Sequence, residues 1–300
     1  MTTIPALPRA GRPARTAAPA RGARRESRAV NVILFVVLAV FAIAMVAPLV
    51  WMFTTAIKTK AEVFALPPVL WPAQPQWDTF VRMWNEAPIL SGFRNSFIVA
   101  STVTIAGSAT SAIAAFALAK LRLPGKNAIF LGLLTGLMVP YPTIMIPQFV
   151  MFSRLHWVDT LLPLIVPLLF GNIIMIFFIR QYLETVPDSL IEAAKIDGAS
   201  YLTIFGRMIV PMIRPAIAAQ FILWFMTIWN DYLAPILYLN SPGKQTLQVV
   251  IANLNVEYAT QRDYPLIMAA SFVALLPILV VFLVFQRQII ESVALTGTKG

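Results

Sequence analysis

The chain has 300 residues, 59% of them hydrophobic and only 12% charged, with a mean hydropathy of +0.77. That balance excludes an ordinary soluble domain and points to a single polytopic membrane domain. Cysteine is absent, which excludes disulfides and thiolate metal sites, and the net charge of +10 has to be read through its distribution before it says anything about nucleic acid.

Residues 1–28 carry seven arginines against one acid, Glu26, and few large apolar side chains. A stretch of that kind cannot bury a core, so residues 1–29 are expected to be a disordered basic tail. It can lie on anionic headgroups, at about 1 kcal/mol per basic residue near the surface, or serve only as a topology signal. Residues 30–53 are the first expected span, too long for the core of a secretory signal peptide. Residues 54–94 form a polar-aromatic excursion with Trp71, Trp77 and Trp84 and prolines at 67, 68, 72 and 75, within a first unit of 30–92. Its tryptophans suit a membrane interface, and Asp78-Thr79-Phe80 can open a short amphipathic helix.

The core, 93–286, begins with a second span at 95–119 crowded with Ala, Gly and Ser, a composition that favours close helix packing over lipid contact. A third span, 128–150, is interrupted by Pro140-Tyr141-Pro142 and Pro147, and a fourth, 161–179, contains Pro163, Pro167 and Asn172. Proline inside a span frees carbonyls that a neighbour or a cavity must satisfy. The fifth, 217–239, holds Trp229-Asn230-Asp231-Tyr232 and Pro235. At about 1.5 Å per residue, Asp231 is expected roughly 12 Å inside its far end, where a carboxylate costs roughly 2.5–3.5 kcal/mol and needs a reason. An outer loop over 240–264 leads to the sixth span at 265–285, bent at Pro277, and a polar tail over 287–300.

Six spans put both termini on one side. Of the 23 Lys and Arg, sixteen fall on that side and seven on the other, so the positive-inside rule places the termini in the cytoplasm. The basic charge therefore reports topology, and no nucleic-acid partner is expected.

Between spans four and five lies a polar island, 184–215, containing Pro187-Asp188-Ser-Leu-Ile-Glu192-Ala193-Ala194-Lys-Ile-Asp197-Gly198 and later Pro211. Pro187 suits the first turn of a helix, Asp188 and Glu192 meet the positive end of its dipole, and Gly198 suits a left-handed cap. Ser200 can cap a second short helix running towards Pro211. The expected product is helix, turn, helix, with Ala193 and Ala194 offering a small-residue surface. A solvated connector or a DNA-binding helix-turn-helix would use similar spacing, although both flanks run into lipid-length apolar segments.

Glu192-Ala193-Ala194 with Gly198 four residues on closely resembles the EAA loop of the membrane-spanning subunits of ATP-binding-cassette importers. Trp229-Asn-Asp-Tyr-Leu-Ala-Pro235 and the ending Ala294-Leu-Thr-Gly-Thr-Lys-Gly300 resemble the carbohydrate branch of these binding-protein-dependent permeases, and within it the maltose type. The resemblance implies an all-α fold of six spans with a cytoplasmic coupling helix-turn, in a bacterial or archaeal cytoplasmic membrane. It implies a second, longer permease, two ATP-binding subunits and an extracytoplasmic solute-binding protein as partners, with membrane lipid around them and a sugar as substrate. It assigns coupling to Glu192, Ala193, Ala194, Asp197, Gly198 and Pro211, contact with the ATPase dimer to 286–300, and contact with the binding protein to 240–264. The tail departs from the family pattern at Glu291-Ser292-Val293. A polar-aromatic set of Tyr141, Asn172, Trp229, Asn230, Asp231 and Tyr232 is a candidate translocation path, although Asn230 and Asp231 would equally serve as bonds to a partner permease or to carbonyls freed near Pro235.

Gly125-Lys126-Asn127 and Gly243-Lys244-Gln245 lack the Ser/Thr and the earlier glycine of a phosphate-binding loop, so no ATPase activity, cofactor or metal is expected in this chain. The sole histidine, His156, stands in a short loop without partners for a catalytic set. An ion-coupled transporter would pair intramembrane charges, and Asp231 has no basic companion within a span. Glycerol phosphate or another non-sugar solute stays open.

Overall fold

The computed structural model describes residues 21–259, 261 and 263–297; expectations for 1–20 and 298–300 lie outside the described residues. Secondary structure among them is helical throughout. Helix α1 is Arg21–Ala56, followed by α2 (Lys60–Val63), α3 (Thr79–Glu86) and α4 (Ile89–Lys120). The next helices are α5 (Lys126–Gly136), α6 (Tyr141–Arg154), α7 (Leu162–Ile165) and α8 (Ile173–Glu184), with a 3-10 turn at Val166–Phe170 joining the last two. Then come α9 (Asp188–Ile196), α10 (Tyr201–Ile204), a π-turn at Phe205–Ile209, α11 (Val210–Trp229), α12 (Leu233–Tyr238), α13 (Leu247–Ala259) and α14 (Tyr264–Gly297).

Five stretches are long and apolar enough to cross a membrane: Val30–Ala56, Ile89–Lys120, Leu162–Glu184, Tyr201–Trp229 and Tyr264–Arg287. Helices α5 and α6 form a sixth, bent by 93° between Gly136 and Tyr141. Proline explains the bend, since Pro140 cannot continue α5 and restricts the residue before it. The pair joins two opposite ends of the bundle. Lys126 Nζ donates to the carbonyls of Ala119 and Leu121 at the end of α4, whereas the loop after α6 bonds to 238–244. It is therefore one broken crossing, and the six expected spans are all found.

The chain falls into two units, 1–50 and 51–300. Within the first, α1 begins at Arg21, so 21–29, expected to be disordered, are its first turns; Arg, Ala and Glu are good helix formers contiguous with an apolar run. The apolar side chains from Val30 to Val50 are mostly exposed, as a lipid- or partner-facing span requires.

In the second unit, α4 is the helix on which the others pack: α8 and α11 lie against it, as does α13, and α14 packs on α11. The small residues of the sequence make this possible. Gly92, Ala100, Gly107, Ser108, Ser111, Ala112 and Ala115 are all buried on α4. A Cβ on Gly107 would sit 2.3 Å from the Trp224 ring and 2.7 Å from the Leu168 carbonyl oxygen. The glycine is what lets the indole of α11 and the broken fourth span reach α4 together.

At the start of α14, the buried Asp263 accepts from Lys60 at 2.8 Å and Arg82 at 2.9 Å, tying α2 and α3 to that helix. Burial alone would raise its carboxyl, but the two cations outweigh burial and hold it below the usual carboxylate range. The expected short helix after Asp78 is α3, although the Asp78 side chain does not cap it. Two expectations need correcting here. The loop over 240–264 contains a full helix, α13, and α14 continues through the tail to Gly297 in place of ending near 285.

Gly107→Ala should destabilise the folded chain by about 1–3 kcal/mol through overpacking. Gly132→Ala, where an added Cβ meets nothing within 4 Å, should not. Thermal unfolding of the detergent-purified variants, read side by side, checks the contrast.

Candidate functional site: a polar loop and a cavity

The polar island folds as expected in outline. Pro187, with ψ 134°, is the N-cap of α9, one step earlier than the first-turn position expected for it, and Asp188 opens the helix. At the other end Gly198 has φ +81°. Its N–H donates to Lys195 O and that of Ala199 to Ala194 O, both at 3.0 Å, which completes a Schellman cap. Only glycine takes that φ without strain. Ser200 caps the next turn through Thr203 N at 3.2 Å. That turn is not a separate helix: α10 runs through the π-turn into α11, so Pro211 lies inside a continuous helix, directly after the wide turn.

The expected small-residue surface is corrected. Ala194 is buried beside Ile191, three residues earlier on the same helical face, and only Ala193 of the pair is exposed. What the loop presents instead is apolar bulk: Ile196 is 87% exposed and Leu202 78%, on either side of Gly198, with Glu192 and Asp197 also exposed.

The turn after α4 braces this loop. Lys120, its side chain only 5% exposed, donates to Asp188 Oδ1 at 2.6 Å and to the Val186 carbonyl at 2.7 Å. Arg122 stands 3.7 Å from Glu192. The Lys120 hydrogen bond and charge, with a smaller contribution from Lys126, lower the Asp188 carboxyl below its ordinary value. A depressed carboxyl stabilises the fold above its unfolded pKa and loses that contribution as pH falls towards the lowered value. The brace is accordingly complete at neutral pH and weakens only in acid.

A second feature lies between the helices. A cavity of about 540 Å³ has a largely aliphatic and proline lining, among which stand the aromatic and polar side chains of Tyr141, Gln148, Asn172, Trp224, Thr227, Asp231 and Tyr238. Three of the six residues expected along a path are thus brought together: Tyr141, Asn172 and Asp231. The Tyr141 and Tyr238 hydroxyls are 3.4 Å apart, and Tyr238 Oη donates to Gln148 Oε1 over 3.4 Å. Contacts that long are weak hydrogen bonds.

The other three residues do not line it. Trp229 is buried, its Nε1 donating to Ala274 O at 3.0 Å, and its ring stacks on Phe225. Asn230 donates to Met226 O and accepts from Gln248, while Tyr232 is exposed. The placement of Asp231 also changes. Span five ends at Trp229 and not at Leu239, so Asp231 sits in a break and not about 12 Å inside a helix. Its Oδ1 accepts from Leu233 N at 3.1 Å and Ala234 N at 3.4 Å, capping α12. The carboxylate satisfies helix donors that would otherwise be orphaned, and this is the reason the sequence tolerates it there. Asn172 does the same for α8 through Met175 N at 3.0 Å. The expectation that Asp231 would bond to carbonyls freed near Pro235 is corrected, since its carboxylate accepts from the Leu233 and Ala234 amides. Gln148 and Tyr238 were missed, because neither stands in a polar cluster of its own.

Residues 107–293 match the model of the family described as the binding-protein-dependent transport system inner membrane component. The chain belongs to that family. It is therefore a permease of a binding-protein-dependent ABC importer, and such components are not themselves enzymes. It is 32% identical over 224 residues to the arabinooligosaccharides transport system permease protein AraQ of Halalkalibacterium halodurans, covering 74% of this chain and 79% of the relative. Identity to the sn-glycerol-3-phosphate transport system permease protein UgpE of Pectobacterium atrosepticum is 30% over 256 residues, or 83% of this chain and 91% of that one. In fold it resembles a chain from a bacterial ABC transporter involved in the import of the acidic polysaccharide alginate, with TM-score 0.73, 24% identity, and coverage of 91% and 99%. A second alginate transporter structure, solved with an alginate pentasaccharide-bound periplasmic protein, aligns at TM-score 0.60 and 15% identity over 87% and 93%.

Lys120→Met leaves the Asp188 carboxylate and the Val186 carbonyl without their buried donor. Amide hydrogen exchange over 188–192 should quicken in that variant, with the exchange of α4 unchanged; unaltered protection would show that the brace does not hold α9.

Proposed function

We propose that this permease carries a neutral sugar or oligosaccharide across the membrane with a second, different permease, driven by two separate ATP-binding subunits that grip the 184–215 loop. The observation that supports the drive is the exposure of Ile196 and Leu202 around the Gly198 cap. Apolar side chains so placed, Ile196 on the polar loop outside the spans and Leu202 in the opening turn of the Tyr201–Trp229 stretch, are costly in water and find their use against another protein. Glu192 and Asp197 share that loop and supply a polar rim beside the exposed Ala193, Ala194 packs inward, and Pro211 is exposed further along. In this reading the loop and both termini are cytoplasmic, in agreement with the bias of Lys and Arg. The 240–264 segment then faces a solute-binding protein on the other side.

Substrate class follows from the lining of the cavity. Flat aromatic faces from Trp224 and two tyrosines stand beside amides and hydroxyls, the groups that recognise a sugar ring and its hydroxyls. Among the described lining residues none is Lys, Arg or His, and the one charged group is the acid Asp231. A phosphate or a uronate would meet no cation there and one carboxylate. The cavity therefore favours an uncharged polyhydroxylated solute, nearer to what the name of AraQ describes than to that of UgpE.

Gly198→Val puts a β-branched residue at positive φ, and Ile196→Asp charges the exposed face. In the reconstituted importer both variants should assemble yet lose binding-protein-stimulated ATP hydrolysis and uptake together. Normal uptake by both would remove the coupling assignment. Gln148→Ala, which leaves every helix cap in place, should raise the KM for transport with assembly intact. An unchanged KM would detach the cavity from the path.

A further inference from the structure

The loop between α6 and α7 is short, and two of its residues take backbone conformations that side chains other than glycine seldom adopt: His156 at φ +55° and Asp159 at φ +62°. Strain of this kind persists only where surrounding contacts hold it in place. At Asp159 those contacts all come from one stretch far along the chain. Its Oδ1 accepts from the amides of Asn240 at 3.0 Å and Ser241 at 2.8 Å. Its Oδ2 accepts from Ser241 Oγ at 2.6 Å and from Lys244 Nζ at 2.9 Å. Its own amide donates to the carbonyl of Tyr238 at 2.7 Å. One carboxylate thus gathers four donors, and bonds to a charged acceptor are about twice as strong as neutral ones. Ser241 first, through hydroxyl and amide, and then Lys244 hold this carboxyl well below the usual range, so it is ionised at any physiological pH.

The stretch it grips has two other attachments. Asn95 Nδ2 donates to Gly243 O and Gln245 O, and Ser96 Oγ accepts from Leu247 N, so α4 holds it from the opposite side. Two residues before Asn240, Tyr238 lines the cavity and its hydroxyl bonds to Gln148. The 239–245 segment is consequently fixed between the broken third span and α4, at the rim of the space where solute would enter.

We propose that Asp159 is a positioning residue for binding-protein docking: it holds 239–245 in the shape that the solute-loaded binding protein recognises. This rests on the reading of the chain as an importer permease whose 240–264 segment faces that protein. A segment ordered beforehand spares the complex the cost of ordering it on contact. Asp159 touches neither the solute nor the binding protein in this account, and it acts through Ser241 and Lys244.

The test uses the complete importer in proteoliposomes, with ATP hydrolysis followed against binding-protein concentration. Asp159→Ala should raise the half-saturating concentration about tenfold while the maximal stimulated rate is retained, the signature of lost preorganisation. Asp159→Asn keeps an oxygen for the two amides and should fall between wild type and alanine. Unchanged half-saturation in Asp159→Ala, or a lowered maximum at unchanged half-saturation, would overturn the proposal. Should Asp159→Ala fail to assemble, the double variant Ser241→Ala with Lys244→Met removes two donors from the exposed side and is held to the same two outcomes. A wild-type complex that shows no stimulation at any binding-protein concentration would instead count against the importer reading itself.

Discussion

Every backbone amide and carbonyl inside a membrane must find a partner within the protein, because no lipid tail will serve. This chain breaks its helices in that environment more than once, and the way each break is closed decides the rest of the architecture. At the fourth span, Thr110 Oγ1 donates to Leu169 O at 2.7 Å and Ser111 Oγ accepts from Asn172 N at 2.8 Å. Both hydroxyls come from α4. A hydroxyl can reach a neighbouring backbone only if the helices nearly touch, which is why α4 carries glycine, alanine and serine on its buried face. Small residues, polar caps and broken spans are therefore one solution to a single problem. The cavity is its by-product, since a helix that stops and restarts cannot fill the volume a straight one would.

Most of this was legible. Apolar length gave the spans, proline marked the bends in the third and fourth, and the crowding of small residues on 95–119 announced the helix on which others pack. The coupling loop could be read almost residue by residue, because caps are local: Pro187, Gly198 and Ser200 act on amides within a few positions of themselves. Two errors were avoidable. Ile191 and Ala194 are three apart and share a helical face, so an inward isoleucine implied an inward alanine. Asn230-Asp231-Tyr-Leu-Ala-Pro235 carries the signature of a cap and a proline in the following turn, although the apolar residues on both sides of it within 217–239 mask it. Other features could not be read at all. Nothing near Asp159 says that its partners stand about eighty positions later, and nothing near Gln148 or Tyr238 says that they share a cavity.

The two ends of the bundle use charge differently. At the 184–215 loop Lys120 is buried against an exposed Asp188, whereas Arg122 and Glu192 are both exposed. An ion pair exposed on both sides, as Arg122–Glu192 is, contributes little to stability, roughly 0–1 kcal/mol. At the opposite end Asp263 is buried under Lys60 and Arg82, and Asp159 is saturated by four donors. A carboxylate held that way does not change partners without cost.

Between them, α4 bonds to three places along its length: to the 243–247 segment through Asn95 and Ser96, to the break in span four through Thr110 and Ser111, and to the foot of α9 through Lys120. From Asn95 to Lys120 an α-helix rises roughly 38 Å at about 1.5 Å per residue, close to a full membrane crossing. No proline or π-turn interrupts it, so it has none of the usual sites at which a helix yields. Any rearrangement that moves the coupling loop relative to the far rim must carry α4 with it or break a bond at one of its ends. Elements able to absorb such a change are those already interrupted, among them the 93° bend before Tyr141, the turn at Gly171, the π-turn at Phe205–Ile209 and the cap at Asp231. All four belong to the helices that surround the cavity. Motion confined to those interruptions would alter the walls of the cavity while the helix joining its two ends stayed straight, which is the division of labour that a path opened from one side at a time requires.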